Sequence, residues 1–217
     1  MDTLKLTNVS VVVAAEEHNP TILHPSFLKA ERIVPDEWVV VGGPICTPPF
    51  SIVEYANGIA FRVESNRLQI IDGAPAGAGK ASPAPEIAVK YVRALPHVRY
   101  TAVGINFMAF QELNDPDAYV IRRFLSAGSW NDADLAPDSA GVQLTYPLGE
   151  SRFNLAIKPG RRQRSEAGPI VHGIVLEGNC HSDTADLPGA IEAIANYEEK
   201  MTQSWRICTR ILGVSTE

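Results

Sequence analysis

The same order of signals runs along this chain twice, and that constrains the fold more than any motif does. An apolar stretch, Val9-Ser10-Val11-Val12-Val13, is followed by Asn19-Pro20 and then Phe27-Leu28. A second, Val103-Gly104-Ile105-Asn106-Phe107, is followed by Asp115-Pro116 and then Phe124-Leu125. Trp38 and Trp130 come next, and then two hairpin signals, Tyr55 and Phe61 about Gly58, and Tyr146 and Phe153 about Gly149. Each half closes on an amphipathic stretch. The offset between the copies drifts from about 91 to 97 residues, as loops of changing length would make it. Repetition of this kind decides topology before any local feature does. The reading is one compact unit over residues 1–217, built of pseudo-repeats at about 5–95 and 98–212.

Local patterns fill in the elements. Residues 5–15 are valine-rich and read as a strand. Asn19-Pro20 pairs a capping side chain with proline at a first helical position, and Pro25 limits the segment through about Ala30 to short turns. Four strand signals lie between residues 37 and 72, with Asn57-Gly58 as a hairpin turn. Gly73 to Pro85 reads as a linker. Ile87, Ala88, Tyr91, Val92 and Leu95 form one face of a helix at 85–95. In the second half a strand spans about 98–110, a helix 116–127, and strands lie near 140–147, 151–158 and 169–178. An apolar stripe from Leu187 through Ile191, Ile194, Tyr197, Met201, Trp205 and Cys208 predicts one helix to Leu212. At 1.5 Å per residue that helix would span roughly 39 Å.

The predicted fold class is therefore α+β. Two pseudo-repeats of β-α-β(3–4)-α form a curved, mostly antiparallel sheet with long helices on one face. In topology this resembles the duplicated repeat of the TATA-binding-protein-like fold. The resemblance is one of element order and implies a curved antiparallel sheet with two long helices on its convex face. No sequence motif of that family accompanies it, and no role in DNA binding carries over.

Composition excludes several functions. A formal charge of -6 and a pI near 5.4 argue against a general nucleic-acid surface. No apolar run approaches the ~18 residues of a membrane span, and the N-terminus has no basic, apolar leader pattern. The three cysteines, Cys46, Cys180 and Cys208, are odd in number and lack CxxC spacing. The expected location is cytoplasmic.

Each chemical motif has a competing bland reading. Gly73 to Ala81 lies between a strand and a helix, as a phosphate loop would. Ala74 and Ala81 occupy the positions that need glycine and a hydroxyl, so it reads as a linker. His18 with His24, and His172 with Cys180 and His181, lack metal-site spacing. Cys180 and His181 are adjacent, so in a strand they face opposite ways. Cys208 sits on an apolar helix stripe, and Ser204 beside Trp205 has no adjacent base. Asn106 and Asn154 are amides inside apolar strands, expected on the open face of a sheet. Lys158, Arg161, Arg162 and Arg164 put four cations in seven residues of an acidic protein, on an expected hairpin loop.

No complete catalytic or metal constellation emerges, and no cofactor is expected. The leading reading is a non-catalytic binding or assembly module. A small-molecule binder with an apolar sheet–helix pocket lined by Tyr91, Phe107, Met201 and Trp205 is the second. An enzyme whose site one sequence hides is the third, so catalysis is left open with a lean against it. Arg161, Arg162 and Arg164 are the expected contacts to an anion or acidic partner. An open sheet leaves two edges, so a homodimer is expected. Membrane and nucleic-acid partners are not.

Overall fold

The computed structural model describes residues 3–75, 81–132, 134–163 and 168–214. Nine antiparallel strands form one open sheet, neither closed nor strongly curled. The first half supplies β1 (Lys5–Ala15), β2 (Val40–Cys46), β3 (Phe50–Tyr55), β4 (Ile59–Glu64) and β5 (Arg67–Asp72). The second supplies β6 (Tyr100–Glu112), β7 (Val142–Leu148), β8 (Ser151–Gln163) and β9 (Ile170–Asp183). Their spatial order is β2-β3-β4-β5-β1-β6-β9-β8-β7, with β1 and β6 paired at the centre.

The α+β class and the antiparallel sheet stand, but the curved, TATA-binding-protein-like arrangement expected from the resemblance does not. The expected curved sheet is open without strong curl, and most of the expected long helices are short. They are α1 (Pro25–Ala30), α2 (Ala84–Ala94), α3 (Pro116–Phe124), α4 (Leu187–Ala195) and α5 (Tyr197–Leu212). The single helix predicted over 187–212 is interrupted at Asn196, where ψ is 12° instead of the helical value near -42°. Asn196 caps α4, its N–H donating to the Glu192 carbonyl, while its own carbonyl accepts from Lys200. The apolar stripe continues across the break, so periodicity alone could not show it. Helix α3 ends at Phe124, since Leu125 is already extended. Pro25 begins α1 rather than breaking it, with the His24 ring capping the Ser26 N–H.

The two hairpins turn at glycines with positive φ, Gly58 at 87° and Gly149 at 58°. Their aromatic pairs differ in register. Tyr146 lies directly opposite Phe153, whereas the partner of Phe61 is Val53, two residues before Tyr55. The two tyrosines therefore differ in register about their turns.

The core lies under one face. Across the sheet, Val53, Phe61, Ile70, Val11, Ile105, Cys180 and Phe153 make one continuous register row, each of them 0% exposed. Helix α2 packs on β1 and β5, α3 on β8 and β9, α4 on β6 and α2, and α5 on β6 and β9. Two aromatic groups anchor this layer. Tyr91 meets Phe27 and Phe61, and Phe107 meets Phe153 and Trp205 at 6.0 Å each. Gly178 makes the second group possible, because a Cβ there would sit 2.3 Å from the Phe107 ring. Burying side chains of this size contributes roughly 1.5–3 kcal/mol apiece.

Candidate functional site

The strands that point alternate residues at the helices point the others at the opposite face. On that face the central register row reads Val41, Glu54, Ala60, Ile71, Ser10, Asn106, Asn179, Asn154 and Thr145, from β2 to β7. Its second half is a hydrogen-bonded ladder. Thr145 Oγ1 donates to Asn154 Oδ1 at 2.9 Å, Asn154 Nδ2 to Asn179 Oδ1 at 3.4 Å, and Asn179 Nδ2 to Asn106 Oδ1. Gln69 Nε2 donates to Ser10 Oγ at 3.2 Å, carrying polar pairing into the first half. Gly104 leaves the ladder its space, since a Cβ there would lie 3.2 Å from Asn179 Nδ2.

Apolar side chains flank this row without cover. Val41 and Ile45 are each 42% exposed, Phe50 40% and Met108 38%, and Ile52 is half-buried between them. The charges on the face are largely paired with one another. Lys158 Nζ reaches Glu177 at 2.6 Å, Arg67 reaches Glu64 at 2.8 Å and Arg152 reaches Asp183 at 3.8 Å. His181 Nε2 lies 2.9 Å from Asp183, and its hydrogen bond, then its charge, holds that carboxyl below the usual range. The surface offers amide donors and acceptors, apolar patches and little net field.

The sequence reading finds Asn106 and Asn154 on this face but misses Asn179, Ser10, Gln69 and Thr145. Asn179 falls beyond the expected end of its strand, yet β9 continues to Asp183. The Gly-Asn-Cys-His alternation past Leu176 was the available signal. Cys180 and His181 do point to opposite faces, the first buried and the second on the open side.

The other expected residues are scattered. Arg161 and Arg162 are exposed, and both belong to β8 rather than to a loop, paired with His172 and Val171. Arg164 lies outside the described residues. Lys158, grouped with them by sequence, is bound to Glu177. Tyr91 belongs to one aromatic group and Phe107 and Trp205 to the other. Met201 is 1% exposed, and Trp205 is half-buried against the core. None of these four lines the open cleft of about 390 Å³ between α2 and the α4–α5 junction, which is bounded by Glu86, Ile194, Tyr197 and Glu198 among others.

His18 is buried, with Nε2 3.1 Å from the Val13 carbonyl, and His24 serves as a helix cap. Among the described residues, no three His, Cys, Asp or Glu side chains are grouped to hold a metal ion. No described helix is long and apolar enough to cross a membrane. Cys208 is buried, its thiol pushed up to about 12 by desolvation first, and Cys180 Sγ lies 2.9 Å from Ser204 Oγ in the core. No family model, no curated protein and no solved structure matches this chain.

Proposed function

We propose that this protein is a binding or assembly module whose working surface is the uncovered face of the sheet, and that a second copy of the chain packs there. One observation carries the reading: Val41, Ile45, Phe50 and Met108 stand in the open, with Ile52 half-buried among them, beside an ordered amide row. Nine strands at about 4.8 Å spacing make a face about 40 Å wide. Over five or six residues of height that gives about 800 Å² per partner, the area a standard interface needs. Internal ion pairing lets identical faces approach without like charges opposing each other. The edges are worse templates. The β2 edge carries Gly42, Gly43 and Pro44 within a register irregularity, and the β7 edge carries Pro147.

Light scattering at micromolar concentration tests this. The expected mass is twice the 23.5 kDa chain, falling to 23.5 kDa in an Ile52→Glu, Met108→Glu variant. A native mass of 23.5 kDa removes the second copy as occupant. A dimer that survives both substitutions moves the interface elsewhere.

Duplication of an ancestral half is part of the same proposal. In its favour, each half contributes a central strand followed, outward from the middle, by its last, middle and earlier strands. The register difference at Tyr55 counts against strict equivalence. The free thiols of Cys46, Cys180 and Cys208 support placement in a reducing cytosol.

A further inference from the structure

On the helix side, away from the open face, three side chains form a chain of contacts. Lys200 Nζ donates to Ser182 Oγ at 2.7 Å, and Ser182 Oγ lies 2.9 Å from Ser151 Oγ. Each element contributes one member. Ser151 opens β8 just after the Gly149 turn, Ser182 lies near the end of β9, and Lys200 is on the first turn of α5. All three sit just beneath the surface, Ser151 and Ser182 at 8% and Lys200 at 9% exposed. Lys200 Nζ also donates to the Ala193 carbonyl of α4 at 3.4 Å, and no carboxylate forms an ion pair with it among the described residues. A lysine buried in this way usually carries a carboxylate partner. Here its neighbours are hydroxyls and a carbonyl, which are content with a neutral amine.

We propose that Ser151 is a nucleophile activated by Lys200 through Ser182, and that it accepts acyl groups from small activated esters or thioesters. Ser151 Oγ bonds to the acyl carbon while the bond to the leaving alcohol or thiol breaks. When Lys200 is neutral, the Ser182 hydroxyl turns to donate to its Nζ, so the Ser151 proton passes to Ser182 Oγ as the Ser182 proton passes to Lys200 Nζ. With Ser151 Oγ now acylated, the Lys200 ammonium returns a proton through Ser182 Oγ alone to the departing alkoxide or thiolate. Water then cleaves the acyl-serine by the same relay, releasing the acid and restoring the hydroxyl. Desolvation, the leading influence on Lys200, lowers its pKa and so enlarges the neutral fraction. Cys180 on β9 and Glu199 on its own helix are the charged or titratable groups that bear on it, and both oppose that shift. The narrow exposure restricts the reagent to small acyl groups.

The test is a fluorophosphonate probe on the full chain, read by intact mass and peptide mapping across pH. The expected result is one adduct on Ser151, forming faster as pH rises through the Lys200 titration. Ser151→Ala should abolish it. Lys200→Arg keeps a cation that cannot act as the base, and should slow labelling at least tenfold and flatten the pH profile. Where circular dichroism shows that Lys200→Arg fails to fold, Ser182→Ala, which removes the relay alone, should give the same slowing. A native protein without adduct, labelling at another residue, or a rate indifferent to both relay substitutions overturns the proposal.

Discussion

Two neighbouring register rows run side by side across the seven strands from β3 to β8 and could hardly differ more. The row ending in Cys180 and Phe153 is closed to solvent from Val53 onward. The row beside it, one residue along each strand, ends in Asn179, Asn154 and Thr145 and is largely half-open. One face is held by apolar burial, the other by hydrogen bonds between side chains that already have partners. Substitutions should therefore act on stability at the first face and on association at the second.

The largest effect should come from Phe107→Ala, which empties the space that Gly178 creates. We expect a loss of about 3–5 kcal/mol in urea denaturation. Trp205→Ala on the neighbouring helix should cost less, about 2–3 kcal/mol, because the indole is only half-buried. A Trp205 effect as large as that of Phe107 would mean the helix layer covers more than the geometry shows. Asn179→Ala breaks the ladder at its middle and should cost about 1 kcal/mol. A double-mutant cycle with Asn106→Ala should return a coupling close to that value, and no coupling would mean the row is independent amides.

Acid should separate the two sides as well. Burial, partly offset by the Val13 carbonyl, holds the His18 pKa below its ordinary 6.5. The unfolded chain therefore takes up this proton first. Stability is lost as pH falls below about 6.5 toward the lowered folded value. His18→Gln should flatten that part of the stability curve. The smallest effect belongs to the basic segment. Replacing Arg161, Arg162 and Arg164 with serine should change stability by less than about 0.5 kcal/mol. A larger change in the melting temperature would show a structural role. Loss of a salt-sensitive contact with heparin or an acidic protein would revive the anion-binding reading.

The pattern that made the covered row visible in sequence was alternation. Val9, Val11 and Val13, or Phe153, Leu155 and Ile157, announce a strand with one buried face. The hairpin turn at Asn57-Gly58 was legible because few other residues accept its φ. The bend at Asn196 was not, since the apolar spacing passes through it unchanged. The open face was legible only where a lone amide interrupted an apolar run, as at Asn106 and Asn154. What joins them is register across four strands, and register is a property of pairing that no single segment carries. The Lys200 relay was hidden for the same reason, its members being 31 and 18 residues apart in sequence.

Methionine oxidation tests the central claim face by face. Met108 stands 38% exposed on the open face of the single chain, while Met201 is 1% exposed beneath the helices. Treating the native protein and Ile52→Glu with dilute peroxide, then mapping peptides, reports on both. If a second copy covers the open face, Met108 is oxidised slowly in the native protein and quickly in Ile52→Glu, with Met201 slow in both. Rapid oxidation of Met108 at the same rate in the two proteins would contradict it.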